Sequence, residues 1–341
     1  MELNITVPNR IDLAGGTTDI HPLYLLMDGG CTVNAAVTVQ SRVSIRSRPG
    51  PGIVIISSDL GQTVEAQSAE ALPVGGPLGL LGRAVKAFPP AGGVEIITHN
   101  EAPAGSGLGA SSALLVALLA GLFRMRGEDL SPATLVDYAA NLETAAIGVP
   151  TGKQDHVGAL FGGVSCIDFG YRGFTRTEVC RDAESRKRLQ DMVVLTYTGL
   201  GRFSGMNNWD ITRDFIAGRA EIREKLLRIR EVAKRLAAAL TAQRWRDLAS
   251  LVDQEWILRR ELAPGVSNPR IDQIMAAAKG AGASASKICG AGGGGCMITI
   301  VTPQKRGSVE LAITNAGGTV IPFEIDGVGL SISRRKAKPS R

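Results

Sequence analysis

Pro103-Ala104-Gly105-Ser106-Gly107-Leu108-Gly109-Ala110-Ser111-Ser112-Ala113 is the stretch on which the fold and the chemistry turn. It lies between an expected strand at 94–98 and an apolar run that predicts a helix over 111–126. Glycines at 105, 107 and 109 let backbone N–H groups turn toward an anion without side-chain obstruction. A helix behind them adds unpaired N–H donors and the positive end of its dipole. The hydroxyls of Ser111 and Ser112 could reach a phosphate or Mg²⁺. No Gly-Lys-Ser/Thr follows, so this is not a Walker A loop, and the glycine spacing departs from the dinucleotide fingerprint. A glycine turn before a helix also occurs for structural reasons alone, so its neighbours must be read with it.

Downstream, Ser131-Pro132 supplies an N-cap and a first-turn proline, predicting a helix that runs to 147 and stops at Gly148-Val149-Pro150. That helix carries Glu143. The segment Thr151-Gly152-Lys153-Gln154-Asp155-His156 reads as a loop ahead of a short helix. Phosphoryl transfer to an alcohol needs a metal held beside the phosphates and a group that accepts the hydroxyl proton. One carboxylate could serve each need. Taken alone, Glu143 reads as a surface helix residue and Asp155 as a turn or capping residue.

Further out, Lys287-Ile288-Cys289-Gly290-Ala291-Gly292-Gly293-Gly294-Gly295-Cys296 places four consecutive glycines before an apolar strand. Chain entropy opposes such a run unless backbone must pass close to something bulky; a hinge or tight turn is the alternative. At the other end, Pro8-Asn9-Arg10-Ile11-Asp12-Leu13-Ala14-Gly15-Gly16-Thr17-Thr18-Asp19 sets a cation before a glycine turn and an aspartate.

The rest of the chain alternates short β-branched runs with amphipathic ones. Strands are expected at 4–8, 31–39, 42–46, 53–57, 164–168, 192–197, 296–301 and 319–325. One long charged helix is expected at 210–240, with others at 245–262 and 268–279, and a polar connector at 171–190. A length of 341 residues exceeds the usual single core and predicts two domains, 1–185 and 186–341.

Composition, at 44% hydrophobic and 21% charged, is that of a well-buried globular chain. Lys plus Arg exceed Asp plus Glu by 38 − 32 = 6, which suits a polyanion or a nucleotide equally. Part of that surplus sits in Arg334-Arg335-Lys336-Ala337-Lys338, expected to be a solvated, frayed tail. With aromatics at only 4%, the interleaved stacking residues of an RNA binder are missing, so no nucleic-acid partner is expected. Cysteines at 31, 166, 180, 289 and 296 show no Cys-x-x-Cys spacing and no signal peptide is visible, which predicts a cytoplasmic protein. The longest apolar run, 113–123, is about half a membrane span, so no membrane partner is expected.

Taken in order, these segments resemble the galactokinase, homoserine kinase, mevalonate kinase and phosphomevalonate kinase (GHMP) superfamily. The first is similar to its Pro-Gly-Arg/Lys motif with Asn9 in place of glycine, the second to its Pro-x-x-x-Gly-Leu-Gly-Ser-Ser loop, and the last to its Gly-Ala-Gly-x-Gly-Gly motif. The resemblance implies an α+β fold of two domains, the N-terminal one ribosomal S5 domain 2-like and the C-terminal one ferredoxin-like, with ATP and Mg²⁺ as cofactors. It further implies that Pro103, Gly105, Ser106, Gly107, Leu108, Gly109, Ala110, Ser111 and Ser112 hold the nucleotide, that Glu143 and a loop serine bind Mg²⁺, and that Asp155 is the catalytic base with Arg10 beside it. Arg10 would favour the ionised aspartate. Ala110 lengthens the loop by one residue relative to the family, so alignment from Gly109 selects Ser111 and alignment from Ala113 selects Ser112.

Within the superfamily the likeness is to heptose kinases that phosphorylate the anomeric hydroxyl of D-glycero-D-manno-heptose 7-phosphate, and to fucokinase-type enzymes sharing the Arg-Ile-Asp-Leu-Ala-Gly-Gly opening. It implies a sugar or sugar phosphate as the partner of a monomer or homodimer. Gly16, Thr18 and Asp19 would stand at the sugar, and Gly292 and Gly293 against substrate or nucleotide. Lys153 could pair with a phosphate already on the substrate; a solvated lysine is the alternative. His156 stands where galactokinases carry glutamine, which implies one altered hydroxyl contact. A free-sugar or mevalonate-type kinase, and a catalytically silent regulator on the same fold, are the competing expectations.

Overall fold

The computed structural model describes residues 1–201 and 205–335; Lys336, Ala337 and Lys338 of the basic run lie outside the described residues. In chain order the elements are β1 (Glu2–Ala14), α1 (Leu23–Leu26), β2 (Gly30–Ser47), β3 (Ile53–Ser57), β4 (Gln62–Ala66), α2 (Gly79–Ala87), β5 (Val94–Asn100), α3 (Ala110–Met125), α4 (Pro132–Ile147), α5 (Gln154–Phe161), β6 (Val164–Gly170) and β7 (Gly173–Glu178). They continue with α6 (Ala183–Met192), β8 (Val193–Tyr197), α7 (Gly205–Ile216), α8 (Ala220–Thr241), α9 (Leu248–Arg260), α10 (Pro269–Gly280), β9 (Ala285–Ile288), β10 (Cys296–Ile300), α11 (Arg306–Asn315), β11 (Thr319–Val320) and β12 (Ser331–Arg335).

The first domain is built on an eight-stranded sheet whose spine is β1 paired with β2. Two runs expected as separate strands, 31–39 and 42–46, are one 18-residue strand: the first part of β2 pairs with β6 and the last part with β5. Alternating burial at the start of β1 gives way to continuous burial from Val7 to Ala14. There the strand is covered by α3, α5, α8 and α9. The expected strand at 4–8 therefore runs on to Ala14, and Arg10 and Asp12 are strand residues. A bulge between Pro8 and Asn9 shifts the register just before Arg10, a device that re-aims a side chain at the edge of a site.

The second domain carries a four-stranded antiparallel sheet in the order β11-β8-β10-β9. Numbered within the domain this is 4-1-3-2, the ferredoxin-like arrangement, with extra helices inserted after its first strand. The helix expected over 210–240 is two helices, because Gly218 takes a left-handed conformation (φ 79°) between α7 and α8. The connector expected at 171–190 contains β7 and α6, the latter started by the Asp182 side chain accepting from Ser185 N–H.

One expectation fails at the C-terminus. Instead of fraying from Arg334, the chain returns to the first domain and β12 adds antiparallel to β1, with Glu2 opposite Arg335 and Thr6 opposite Ser331. A single cut at 185 therefore misplaces 331–335, which complete the first domain's sheet edge. Among the described residues no helix is long and apolar enough to cross a membrane.

Candidate active site

A cleft of about 550 Å³ opens between the domains. Its floor is the turn from Pro103 to Gly109 and the start of α3. Gly105, Gly107 and Gly109 all have positive φ (68°, 70° and 79°), as the anion-turn reading requires. Gly109 is the N-cap of α3 and no side chain caps that helix. The first-turn N–H groups of Ala110, Ser111 and Ser112 thus have no intrahelical acceptor and stand at the cleft, donors for an anion.

The two candidate serines stand in different surroundings. Ser112 is buried and its hydroxyl donates to Glu143 Oε2 at 2.7 Å, whereas Ser111 is exposed at the cleft. Glu143 is not the surface residue its helix suggested: it is 7% exposed, on the inner face of α4. The fully buried ring of His156 sets Nε2 3.2 Å from Glu143 Oε2. His156 therefore backs the carboxylate and does not line the cleft, in keeping with an altered hydroxyl contact at this position. Among the described residues no lysine or arginine pairs with Glu143.

Asp155 is also misplaced by the loop reading, because it occupies the first turn of α5. Arg10 approaches it with Nε at 2.8 Å and Nη2 at 2.5 Å from the same Oδ1, while Arg10 Nη1 donates to Gly107 O at 2.6 Å. One guanidinium thus ties the carboxylate to the glycine turn. Burial pushes the Asp155 carboxyl above the usual range; Arg10 pulls it back, and the charge of Glu143 raises it further. Arg10 thus favours the ionised aspartate, as expected, but desolvation outweighs it, although the carboxylate keeps an edge, 21% exposed, toward the cleft. Gly109 lies so close that a Cβ there would fall 2.9 Å from Asp155 Cβ, Cγ and Oδ2.

Beside Asp155, Asp19 accepts the Gln154 N–H at 2.9 Å and is pushed up to about 6 by burial. Thr17, Asp19 and Ile20 line the cleft; Gly16 and Thr18 do not. The Gly16 carbonyl is taken by Arg259 Nη2 at 2.6 Å, and the Thr18 hydroxyl bridges the carbonyls of Gly15 and Cys31. These two residues shape the loop that presents Asp19. Leu108 likewise faces the core, and its carbonyl accepts the Arg10 N–H.

The tetraglycine run is neither hinge nor free loop. A Cβ at Gly295 would meet Ser106 O at 2.6 Å and one at Gly107 would meet Cys289 O at 2.9 Å, so the run is backbone pressed against the Gly105–Gly109 turn. Gly292 lines the cleft; Gly293 does not, its N–H being given to Val266 O and its carbonyl accepting from Asn268 Nδ2. Lys153 is also absent from the cleft. It is held at 2.6 Å by Asp137 and lies over the Tyr24 ring, so its expected role with a substrate phosphate has no support in the geometry.

Beneath the cleft lies a buried ionic cluster that no motif announced. Lys287 Nζ sits 2.9 Å from Asp12 Oδ2 and 3.2 Å from Glu255 Oε2, and Arg259 pairs with Glu255 at 2.6 Å. Arg259 also reaches Thr17 Oγ1 at 3.2 Å, so α9 grips the loop that carries Asp19. Burial opposes the Asp12 charge, but Lys287, Arg259 and Arg10 hold its carboxyl below the usual range. Two positive and two negative groups cancel here, and Arg10 cancels Asp155. Among the described residues Glu143 and Asp19 have no lysine or arginine partner, and Glu143 with the Ser112 hydroxyl offers hard oxygen donors that fit a divalent cation such as Mg²⁺.

The far end of the cleft is apolar, formed by Leu60, Val74 and Pro77–Leu81 with Asp59 at its rim. Sequence reading passed over this segment. Its Pro73-Val74-Gly75-Gly76-Pro77 turn before α2 was the available signal.

A two-domain α+β chain with an anion turn, an adjoining carboxylate–serine pair and an aspartate–arginine pair has the parts of a phosphotransferase acting on an alcohol. Residues 79–163 match the family described as GHMP kinases N terminal domain, and residues 236–319 match GHMP kinases C terminal. The chain belongs to the GHMP kinases, phosphotransferases with an alcohol group as acceptor. It is similar to D-glycero-alpha-D-manno-heptose 7-phosphate kinase of Campylobacter jejuni, with 27% identity over 95% of this chain and 96% of the relative. Among solved structures, a D-glycero-D-manno-heptose 1-phosphate kinase from Bacteroides thetaiotaomicron superposes with a TM-score of 0.78 at 22% identity, covering 98% of this chain and 100% of the other. Lactococcus lactis galactokinase complexed with galactose gives 0.78 at 18% identity, with 97% and 95% covered. At those identities the two structures speak to the fold alone.

Proposed function

We propose that this kinase transfers the γ-phosphoryl of ATP to the anomeric C1 hydroxyl of a heptose 7-phosphate or a closely related sugar. The reading rests on one observation: Asp155 with Arg10, and Glu143 with Ser112, converge on the uncapped start of α3 within one cleft. The nucleoside would occupy the apolar end near Leu60 and Leu78–Leu81, its phosphates accepting from the N–H groups of Gly105–Ser112. Glu143 and Ser112 would hold Mg²⁺; when bound, the ion neutralises charge between the β- and γ-phosphates. Asp19 accepts hydrogen bonds from sugar hydroxyls. Asp155 takes the proton of the reacting hydroxyl, and its raised carboxyl makes it a stronger base than an exposed aspartate. Arg10 holds that carboxylate against the turn. A cytoplasmic location suits a reaction that draws on ATP. The domain division near 185, amended for β12, suits this reading: the glycine turn, Glu143, Asp155 and Asp19 come from the first domain, and Asn208 with Cys289–Gly292 from the second.

A second reading, a free-sugar kinase of the fucokinase or galactokinase type, is favoured by one feature. Arg10 is the one lysine or arginine lining the cleft among the described residues, and Lys153 is engaged elsewhere. The two separate in an ATP-consumption screen over heptose 7-phosphate, free heptose, fucose, galactose and mevalonate, with the position of the new phosphate read by NMR. Turnover of heptose 7-phosphate alone supports the first reading. Preference for a free sugar supports the second, and turnover of mevalonate alone overturns both.

A further inference from the structure

Away from the cleft, Cys31 on β2 and Cys166 and Asp168 on β6 project from one face of a paired set of strands. Their sulfur and carboxylate atoms all lie within 4.8 Å of one another. The two sulfurs are 3.7 Å apart. Register makes Cys31 the partner of Asp168, and Cys166 the partner of Val33, so the cysteines are diagonal neighbours. Diagonal positions are roughly 7–8 Å apart, beyond the about 6.8 Å that the Cα atoms of a disulfide tolerate. An atom between the sulfurs removes that difficulty. Two metal–sulfur bonds of about 2.3 Å at the tetrahedral angle put their sulfurs roughly 3.8 Å apart, close to the separation seen.

We propose that Cys31 Sγ, Cys166 Sγ and an Asp168 carboxylate oxygen form a site for a thiophilic divalent cation of the Zn²⁺ class. Two soft donors and one carboxylate, fixed on rigid strands, suit such an ion and not Mg²⁺ or Ca²⁺. Cys31 and Cys166 are buried while Asp168 is exposed, so the ion would enter from the Asp168 side and keep its fourth position toward solvent. Thiols in simple contact could share the sulfur spacing; the third ligand is what the metal reading adds. The site would clip β2 to β6 where Thr18 Oγ1 accepts the Cys31 N–H, directly behind the loop that carries Asp19.

The test uses the full chain, reduced and saturated with Mg²⁺, titrated with Co²⁺ and Cd²⁺ and then with Zn²⁺ as competitor. Expected is one equivalent of thiolate-to-metal charge-transfer absorption, displaced by Zn²⁺. It should persist in Cys180→Ser and vanish in Cys31→Ser and Cys166→Ser. Loss of a ligating thiolate should weaken binding by more than the roughly 100-fold that loss of a supporting hydrogen bond costs. Asp168→Asn, at an exposed position where folding is not at risk, should weaken it about tenfold or more. Absence of the band at stoichiometric metal, a band that survives in Cys166→Ser, or unchanged affinity in Asp168→Asn would overturn the proposal.

Discussion

Replacing Asp19 by asparagine should make the protein more stable and less active, and the size of the first effect follows from the burial of this one carboxyl. Asp19 is 1% exposed and its pKa is raised from 3.8 to about 6, with burial the leading cause. Unfolded, the group titrates near its ordinary value. Below about pH 4 it is protonated in both states and costs nothing. Above pH 6 it is ionised in both, and the folded state bears the whole penalty. A difference of about 2.2 pKa units corresponds to roughly 3 kcal/mol. The asparagine side chain would carry no charge, and its amide oxygen can still accept the Gln154 N–H. Urea unfolding at pH 7.5 should therefore show Asp19→Asn more stable by about 2–3 kcal/mol, a gain that shrinks toward zero as pH falls from 6 to 4. Sugar turnover should move the other way, with kcat/KM lower by on the order of 10- to 100-fold, since hydrogen bonds to a charged acceptor contribute about 1.5–3 kcal/mol. A stability change that is absent, or that does not vary with pH, would refute the claim that an uncompensated buried charge is kept there for substrate.

Other perturbations test separate parts of the site. Gly109→Ala meets both a φ of 79° and a Cβ 2.9 Å from Asp155, so it should displace the base and lower kcat about 100-fold with the far-UV circular dichroism retained. Lys287→Met leaves Asp12 and Glu255 buried with one cation fewer and should cost about 3–5 kcal/mol in urea unfolding. Glu143→Gln should raise the Mg²⁺ concentration for half-maximal activity by on the order of 10- to 100-fold, measured at saturating ATP; an unchanged requirement would remove Glu143 from metal binding.

Much of this site was legible because its determinants are local. The φ demands of Gly105, Gly107 and Gly109, the N-cap at Ser131 and the stop at Gly148 are written within a few residues of where they act, and α4 runs over the interval expected from them. The acidic residues were singled out by the family resemblance, but their surroundings were not legible. Glu143 read as exposed because a single glutamate on a mid-length helix carries no sign of Ser112 and His156 arriving from 31 and 13 residues away. The ionic cluster was invisible for the same reason: Asp12 and Lys287 are 275 residues apart. The C-terminal strand was missed because Ser331–Arg335 alternates serine with isoleucine and arginine at an open sheet edge, a weak pattern beside a basic tail. Lys153 shows the converse error, in which a plausible charge was assigned to the substrate although Asp137, one helix back, already held it.

The account depends most on Asp155 as the proton acceptor at the nucleotide turn. Rapid-quench single-turnover transfer from ATP to heptose 7-phosphate should show Asp155→Asn slowed by on the order of 10²- to 10⁴-fold, with ATP affinity close to that of the unaltered protein. Transfer by Asp155→Asn at a rate near that of the unaltered protein would contradict it.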